Sequence, residues 1–572
     1  MKTVYSLNGI WKFSPTFDQK PTNNHNVIAS RIPMYALPDL KRSDWEDVPV
    51  PGVWQRYAER YSVYEGVCWF YREFDLQDIC DDSFVNLVFK GVNYKADVYI
   101  NGKFAGCHES AYTEFSFDIS GFVQLGKNAI AVQVDNRPTV VKWPNDWGYG
   151  VYGGIHRDVF VEVYNGNYLS DISLTPEYDV ECNQGVLSIT GNAKGVSAFI
   201  VSMADRQTVV ECCDGAFAAE LRYDNLIPWT PENPVLYSVS LTAQDAVYKS
   251  CKIGFRHAEF RDNQFLLNGE PTIFNGTCYV YDSPKYGLVM AKDQLTEDLR
   301  KMKEANVNAI RTHYPMSDAF YELCDEMGFM VWIEPNIYCS KPFAEDVNTV
   351  FKQEDFVSVA VSMTEEMIHG ARQFASVVIY GIGNECNLEH PEALPFFETI
   401  AKTVRRTDPT RSVGYAALYD LVGNIAHLVD VMGINSYYAW YNINYMDESE
   451  DGTVREADVS QLHELLDNIR KKLPQGMPFL LTEFGADSQP KNVSPTCALW
   501  SENYHAKVVS SYIEAAHARK DVVGTFVFCF TDYLDPSKPK NGRWNEHNLK
   551  GMLSYDRQYK LPYYALQEAY AK

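Results

Sequence analysis

Long apolar runs are missing from this chain of 572 residues, and none approaches the roughly 18 residues that a membrane-spanning helix needs. Positive charge is also scarce, because 51 lysines and arginines face 75 aspartates and glutamates, which gives a net charge of −24. Such an acidic chain repels nucleic acids and anionic membrane surfaces. No glycine-rich phosphate loop is present, so a nucleotide-binding sheet has no support. We therefore expect neither nucleic acid nor a membrane among the partners.

Cysteine pairs with redox or metal-binding spacing are missing as well. The 13 cysteines are scattered and form no C-x-x-C motif, which favours free thiols in a reducing compartment. The opening residues, MKTVYSLNGIWKF, lack the apolar core and the cleavage site of a signal peptide. We therefore expect a cytoplasmic protein, and no metal or other cofactor is predicted.

Turn signals and strand patterns divide the chain into three predicted domains. Residues 1–165 contain short alternating segments separated by pairs such as Asn8-Gly9 and Asn101-Gly102, which are typical of β-hairpins. Residues 166–260 contain further short strands, such as GVLSITGNA and SAFIVSMA. Their number and spacing predict a small immunoglobulin-like β-sandwich.

Residues 261–572 follow a different rhythm, in which strands alternate with helices. Short apolar runs such as NAIRTHY, FMVWIEP and PFLLTEFG are separated by helical patterns such as AKDQLTEDLRKMKEA and VSQLHELLDNIRKKL. About eight such units predict a (β/α)8 TIM barrel rather than an open, doubly wound sheet.

Two carboxylates stand at strand ends of this predicted barrel. Glu385 ends the fourth strand, in SVVIYGIGNE, and Glu483 ends the seventh, in PFLLTEFG. An isolated glutamate at such a place is most simply a solvated loop acid, but the C-terminal strand ends of a barrel share one mouth. Two carboxylates that face each other there are what the cleavage of a glycosidic bond requires. The pair therefore predicts a glycosidase.

Motifs along nearly the whole chain resemble one enzyme family. LNGIWKF and VPVPGVWQ resemble its opening, YGGIHRDV the end of its jelly-roll domain, and WTPENPVLY the end of its sandwich domain. NAIRTHYP, GIGNEC and LLTEFGAD resemble three strand ends of its barrel. The chain is thus similar to glycoside hydrolase family 2, which holds β-galactosidases, β-mannosidases and β-glucuronidases. The resemblance implies an N-terminal jelly roll ahead of the sandwich and the barrel. Large members of the family commonly pair through their β domains, so the resemblance also suggests a homo-oligomer.

The resemblance also implies roles for five residues around the barrel mouth. Glu385 would be the general acid/base and Glu483 the nucleophile of a retaining mechanism. Asn384 would hydrogen-bond the 2-hydroxyl of the sugar. Tyr437 would orient the nucleophile, and His313 would line the sugar site.

A second group of residues points to the kind of sugar. Asn548 and Lys550 form an N-x-K-G motif that resembles the β-glucuronidases, where such residues bind the carboxylate of the sugar. An ammonium and an amide donor suit that charge chemically. Asp146 resembles an acid that reaches from the jelly roll toward the sugar hydroxyls, although a role in a turn would explain it equally well.

Two departures from the glucuronidase pattern leave the C4 epimer open. Trp544, preceded by Arg543, stands where the family usually has an arginine near the part of the sugar that differs between the gluco and galacto epimers, so Trp544 and Arg543 are both predicted sugar contacts. Phe528 stands where a tryptophan is usual. The prediction is therefore a retaining exo-β-hexuronidase acting on carbohydrate, with β-D-glucuronide first. A β-galacturonidase or a dual-epimer enzyme is the alternative, ahead of a β-galactosidase or a non-catalytic sugar-binding relative.

Overall fold

The computed structural model describes residues 2–16, 45–137, 152–244, 246–338, 351, 354–418, 422, 425–441, 459–535 and 547–572. Its N-terminal strands are β1 Lys2–Ser6, β2 Gly9–Pro15, β3 Glu46–Val50, β4 Val67–Leu76, β5 Phe84–Phe89, β6 Val92–Asn93, β7 Lys95–Ile100, β8 Lys103–Glu109, β9 Phe115–Asp118, β10 Gly126–Asp135, β11 Gly154–Ile155 and β12 Val159–Tyr164. They form sheets in the orders β3-β2-β4-β10-β7-β8, β1-β12-β5-β9 and β11-β6. Apolar side chains of the two larger sheets share one core, as in a jelly roll.

The predicted hairpin at Asn101-Gly102 is confirmed, because it joins β7 to β8 through two residues that both have positive φ, +50° and +80°. Glycine tolerates this conformation freely, and asparagine tolerates it better than most residues do. The hairpin predicted at Asn8-Gly9 is wrong, because β1 pairs with β12 in one sheet and β2 pairs with β3 and β4 in another.

The middle of the chain forms a seven-stranded sandwich. Its strands are β13 Tyr168–Asp179, β14 Gln184–Lys194, β15 Ala198–Met203, β16 Arg206–Glu211, β17 Ala216–Asp224, β18 Tyr237–Ala243 and β19 Ala246–Ile253. The sheets β13-β14-β17 and β16-β15-β18-β19 enclose a separate apolar core, as the alternating pattern predicted. A small sheet of β20 Ala258–Arg261, β21 Gln264–Leu267 and β22 Glu270–Pro271 follows. We propose domain limits near residues 165 and 260, on either side of the sandwich.

Eight parallel strands then close into a barrel, as predicted. They are β23 Phe274–Cys278, β24 Ala309–Arg311, β25 Met330–Ile333, β26 Val377–Asn384, β27 Ser412–Leu418, β28 Val431–Asn435, β29 Phe479–Glu483 and β30 Val522–Val527, and a hairpin of β31 Tyr533–Leu534 and β32 His547–Asn548 follows. The helices are α1 Lys292–Glu304, α2 Asp318–Met327, α3 Glu354–Ala371, α4 Ala393–Thr407, α5 Leu462–Lys472, α6 Glu502–His517 and α7 Leu561–Tyr570, with 3₁₀ turns at Trp54–Arg56, Glu59–Tyr61 and Ala426–Leu428. The strands are almost continuously apolar because they are covered on both faces.

The jelly roll and the barrel are joined by a shared core and by a buried polar network. Val53 and Tyr112 of the jelly roll belong to the same apolar cluster as the barrel strands. Arg56 donates to the hydroxyl of Tyr152 at 2.8 Å, and that hydroxyl donates to Asp282 of the barrel at 2.8 Å. The contact fixes one edge of the barrel mouth against the β domain. Within the described parts of the chain, no helix is both long enough and apolar enough to cross a membrane.

Candidate active site

Glu483 lies at the end of β29, where three side chains donate to its carboxylate. Arg311 and His313, from the end of β24, contact Oε1 at 2.8 and 2.9 Å. The hydroxyl of Tyr437, just after β28, donates to Oε2 at 2.7 Å. Burial alone would raise the pKa of Glu483, but the hydrogen bond from His313 and the charge of Arg311 outweigh it, so the pKa falls from 4.5 to about 2. The carboxylate is therefore ionised at neutral pH, as a nucleophile must be.

Arg311 connects this carboxylate to the next strands of the barrel. Its side chain is fully buried, and its three nitrogens donate to Glu334 at 2.7 Å, to Glu483 at 2.8 Å and to Asn384 at 2.8 Å. The rigid planar fork of a guanidinium suits such divided bonding, which a lysine could not reproduce. One cation thus donates to two buried glutamates and also orients an amide.

Asn435, the last residue of β28, links Asn384 to Glu385. Its oxygen accepts from Thr482 at 2.7 Å, so its amide nitrogen turns toward Asn384 at 3.0 Å and toward Glu385 at 2.8 Å. The two predicted carboxylates are therefore brought to one rim and joined through a short chain of hydrogen bonds.

The backbone at Glu385 is held in an uncommon conformation. Its φ is +47°, although it is not a glycine, and its N–H donates to the carbonyl of Ala416 at 2.9 Å. Residues in this region cost about 1–3 kcal/mol and cluster at functional sites. The turn places the half-buried carboxyl of Glu385 beside Asn435 rather than continuing the strand.

The amide of Asn384 is oriented by two donors on its oxygen. Arg311 and Asn435 both donate to Oδ1, which fills the two lone pairs of that atom. Among the described residues, the amide nitrogen of Asn384 has no hydrogen-bond acceptor. Since that nitrogen can only donate, the arrangement suits a sugar hydroxyl that accepts a hydrogen bond.

Asn548 and Lys550 lie beside strands seven and eight, next to the same site. The amide of Asn548 donates to the hydroxyl of Tyr533 at 3.0 Å, and its oxygen accepts from the N–H of Lys550 at 3.2 Å. The ammonium of Lys550 donates to the hydroxyl of Tyr441 at 2.8 Å and lies 5.6 Å from the centre of the Tyr437 ring. Because the hydroxyl of Tyr437 also contacts Glu483, one aromatic ring separates the ammonium from that carboxylate.

Phe528 lies on the floor of this corner. Its ring centre is 5.6 Å from that of His313, 6.4 Å from that of Tyr437 and 6.2 Å from that of Tyr533, in edge-to-face arrangements. A tryptophan at this place would add an indole N–H donor, whereas phenylalanine offers only apolar surface.

Two models of one enzyme family match most of the sequence. The domain described as "Glycosyl hydrolases family 2, TIM barrel domain" matches residues 258–572, which is more than half of the chain. The chain belongs to glycosyl hydrolase family 2. The family's sugar-binding domain matches residues 4–164 in addition. The protein is therefore a glycoside hydrolase, as the two carboxylates predicted, and its substrates are carbohydrates.

Several known proteins resemble this family 2 member over most of its length. A β-glucuronidase of Felis catus is 26% identical over 99% of this chain and 90% of its own. A longer protein of Formosa agariphila is 24% identical over 88% of this chain, which spans only 64% of that relative. The crystal structure of a β-galacturonidase of Eisenbergiella tayi is 25% identical, with a TM-score of 0.81 over 100% of this chain and 96% of its own.

The structure brings most of the predicted site residues of this family 2 enzyme to one rim. These are Glu385, Glu483, Asn384, Tyr437, His313, Asn548 and Lys550. The predicted contacts Asp146, Arg543 and Trp544 lie outside the described residues.

Sequence reasoning missed four polar residues of this rim. They are Arg311, Glu334, Asn435 and Asp487. Each stands at or just after the end of a barrel strand, in RTHYP, WIEP, GINSYY and TEFGAD. A search for every polar residue at those strand ends would have found all four.

Proposed function

We propose that the protein is a retaining exo-β-hexuronidase that releases terminal β-linked hexuronic acid from glycosides or oligosaccharides. The leading candidate substrate is a β-D-glucuronide. One arrangement supports the hexuronidase assignment most strongly. The ammonium of Lys550 lies 5.6 Å from the ring of Tyr437, whose hydroxyl bonds the ionised Glu483 at 2.7 Å. A sugar whose C1 faces Glu483 would then have its C6 carboxylate next to a cation.

In the first step, the carboxylate of Glu483 attacks C1 while Glu385 gives its proton to the glycosidic oxygen. The C1–O bond breaks, the aglycone leaves as an alcohol, and a covalent glycosyl-enzyme forms. Tyr437, His313 and Arg311 hold the attacking carboxylate in place. The N–H donors of Asn384 would bind the 2-hydroxyl, where bonds that strengthen in the transition state accelerate the reaction.

In the second step, the ionised Glu385 takes a proton from water, and the water oxygen attacks C1. The bond from C1 to Glu483 breaks, which restores the carboxylate and releases the sugar with its β-configuration retained. Asn435 donates to Glu385 at 2.8 Å and thereby holds it on the leaving-group side in both steps.

A β-D-galacturonide is the second candidate substrate, and Phe528 favours it. The phenylalanine removes an N–H donor from the floor of the site, where gluco and galacto epimers would be distinguished. The solved relative at 25% identity is itself named a β-galacturonidase. Asp146, Arg543 and Trp544 stay proposed contacts of the sugar.

Two further parts of the proposal concern location and assembly. The cysteines that the structure describes are free thiols, which suits the reducing cytoplasm. The family resemblance carries the proposal of a homo-oligomer. Cell fractionation with an antibody tests the first, and light scattering during size-exclusion chromatography tests the second.

Substitution of each carboxylate, with two leaving groups, tests the assigned roles. Glu483→Gln should abolish cleavage of both 4-nitrophenyl and 2,4-dinitrophenyl β-D-glucuronide, because no bond to C1 can form. Glu385→Ala should lower kcat/KM about 10²–10⁴-fold with alkyl or phenyl β-D-glucuronides, whose leaving groups need the proton. It should lose far less with the dinitrophenyl substrate, since that leaving group departs without a proton. Equal losses of kcat/KM with the phenyl and the dinitrophenyl glucuronide would contradict the role of Glu385.

Lys550→Met tests the substrate class. The variant should lose at least about tenfold in kcat/KM on the β-glucuronide or β-galacturonide, since a hydrogen bond to a charged group contributes about 1.5–3 kcal/mol. Cleavage of the matching β-galactoside should not fall with it. A parallel loss on both substrates, or a wild type that prefers the galactoside, would contradict the hexuronidase assignment.

A further inference from the structure

The ammonium of Lys550 is paired with a carboxylate that the mechanism above does not use. Its Nζ lies 2.5 Å from Oδ2 of Asp487, and both side chains are almost completely buried, with 0% and 3% exposed. The aromatic rings of Tyr437, Trp440 and Tyr441 lie 5.6, 5.8 and 4.8 Å from the ammonium. A cation in such surroundings needs a counter-charge, because burial favours the neutral amine.

Asp487 also fixes the backbone that carries Lys550. Its Oδ1 accepts from the N–H of Leu549 at 2.9 Å, and the N–H of Ser488 donates to the carbonyl of Leu549 at 3.0 Å. Asp487 follows the nucleophile Glu483 by four residues. A single short loop therefore sets the position of the ammonium relative to the carboxylate that attacks the sugar.

We propose that Asp487 is a specificity-determining positioning residue, which keeps the ammonium of Lys550 charged and aimed at the C6 carboxylate of the substrate. This rests on the proposed hexuronidase function. In this arrangement the uronate meets a preformed lysine–aspartate pair on a fixed loop, rather than a mobile lysine that must be ordered on binding. The entropy of ordering a long side chain is then lost on folding and not again on binding.

A second buried aspartate–lysine pair, Asp532 and Lys560, contacts the same N-x-K-G segment and supplies a matched control. Asp532 accepts from the N–H of Gly551 at 2.7 Å and from the ammonium of Lys560 at 3.2 Å, and Lys560 donates to the carbonyl of Leu549 at 2.8 Å. Both aspartates thus hold one backbone N–H of the N-x-K-G segment and one lysine. Only Asp487 contacts Lys550.

The other titratable groups around Lys550 are known from the same packing. Tyr437 and Tyr441 face it from the loop after β28, and Cys529 and His505 interact with it electrostatically. Asp532, whose pKa burial raises to about 7, interacts with Asp487 and is paired with Lys560. Burial, together with Lys560 and Lys550, holds the pKa of His505 well below its usual range, so that ring is neutral. Asp487 is therefore the anion that directly contacts the ammonium among the described residues.

The test compares Asp487→Asn with Asp532→Asn on 4-nitrophenyl β-D-glucuronide and β-D-galacturonide. The asparagine keeps an acceptor for Leu549 but leaves Lys550 without its counter-charge. We expect the KM of Asp487→Asn, divided by that of the wild type, to rise at least about tenfold from about pH 5.5 to about pH 8.5 as the unpaired amine loses its proton. The kcat should change much less. Burial raises the pKa of Asp532 itself to about 7, so the two variants are compared with each other, and the rise in KM should be much smaller in Asp532→Asn than in Asp487→Asn.

Three kinetic outcomes would overturn the role of Asp487. The KM of Asp487→Asn could exceed that of the wild type by the same factor at every pH, which a merely structural role would produce. Asp532→Asn could show the same dependence on pH as Asp487→Asn. The KM of Asp487→Asn could also fall below that of the wild type, which would make Asp487 a competitor of the substrate carboxylate.

A melting experiment without substrate separates this inference from the proposed function. Asp487→Asn should lower the thermal unfolding midpoint, and adding Lys550→Met should recover part of the loss, because the uncompensated buried charge is then removed. Additive losses, together with normal uronide cleavage, would overturn the pairing and leave the function standing. Recovery in an enzyme that cleaves no uronide would overturn the function and leave the pairing standing.

Discussion

His313→Ala is the most informative single change around Glu483, the proposed nucleophile. The imidazole donates to Oε1 of Glu483 at 2.9 Å, and together with Arg311 it overcomes the effect of burial on the carboxylate. Removal of the ring leaves Arg311 and Tyr437 as donors. Since a neighbouring cation or donor lowers a carboxylate pKa by about 1–3 units, the pKa of Glu483 should rise from about 2 to between about 3 and about 5.

This rise should appear as a new acid limb in the pH profile of kcat/KM. A nucleophile acts only when ionised, so wild-type activity should not be limited by Glu483 above about pH 4, whereas the variant should lose activity as pH falls through its raised pKa. At pH 7 Glu483 is ionised in the variant and in the wild type alike, so any loss of activity there measures the orientation of the carboxylate alone. Tyr437→Phe, which removes a neutral donor from the other oxygen, is the control and should shift the limb less. An unchanged limb in His313→Ala would refute the reasoning.

The same change has a predicted effect on stability. The pKa of Glu483 is 4.5 in the unfolded chain and about 2 in the folded protein, which corresponds to about 3 kcal/mol of folding stability. This stability is present above about pH 4.5 and is lost as pH falls through about 2. His313→Ala should remove part of this contribution at neutral pH and none below the folded pKa. Unfolding of the variant and the wild type should therefore converge at low pH.

Two further changes probe the support of the site. Arg311→Met should destabilise the fold by about 3–5 kcal/mol and abolish activity, because it leaves Glu334 and Glu483 buried without their shared cation; a stable, active variant would contradict the network. Gly551→Ala would drive its Cβ into the backbone nitrogen of Asp532 and displace the segment that carries Lys550, so it should raise the KM for uronides. Kinetics and calorimetry check this, and a lower melting temperature with an unchanged KM would contradict it.

The barrel and its two glutamates could be predicted from the sequence because both depend on local patterns. A buried parallel strand appears as a short apolar run, and a carboxylate that ends such a run is visible in the linear sequence. Glu385 after GIGN and Glu483 after FLLT carry that signal.

The hydrogen-bond partners of those glutamates could not be predicted in the same way. Arg311 reaches Asn384 and Glu483 from a strand whose end is 73 and 172 residues away along the chain. Asn435 and Asp487 likewise act on residues that only barrel closure brings near. A polar residue at a strand end is visible in the sequence, but its partner across the mouth depends on register and tilt.

The shared apolar cluster of jelly roll and barrel has a consequence for how this chain can be dissected. Val53 and Tyr152 pack into the same core as Phe274 and the other barrel strands, and Trp229 of the sandwich joins them. A fragment beginning at the barrel would expose that apolar surface to water and tend to aggregate. Swapping β domains between relatives would have to exchange both sides of this seam together, so the three units cannot be treated as interchangeable parts.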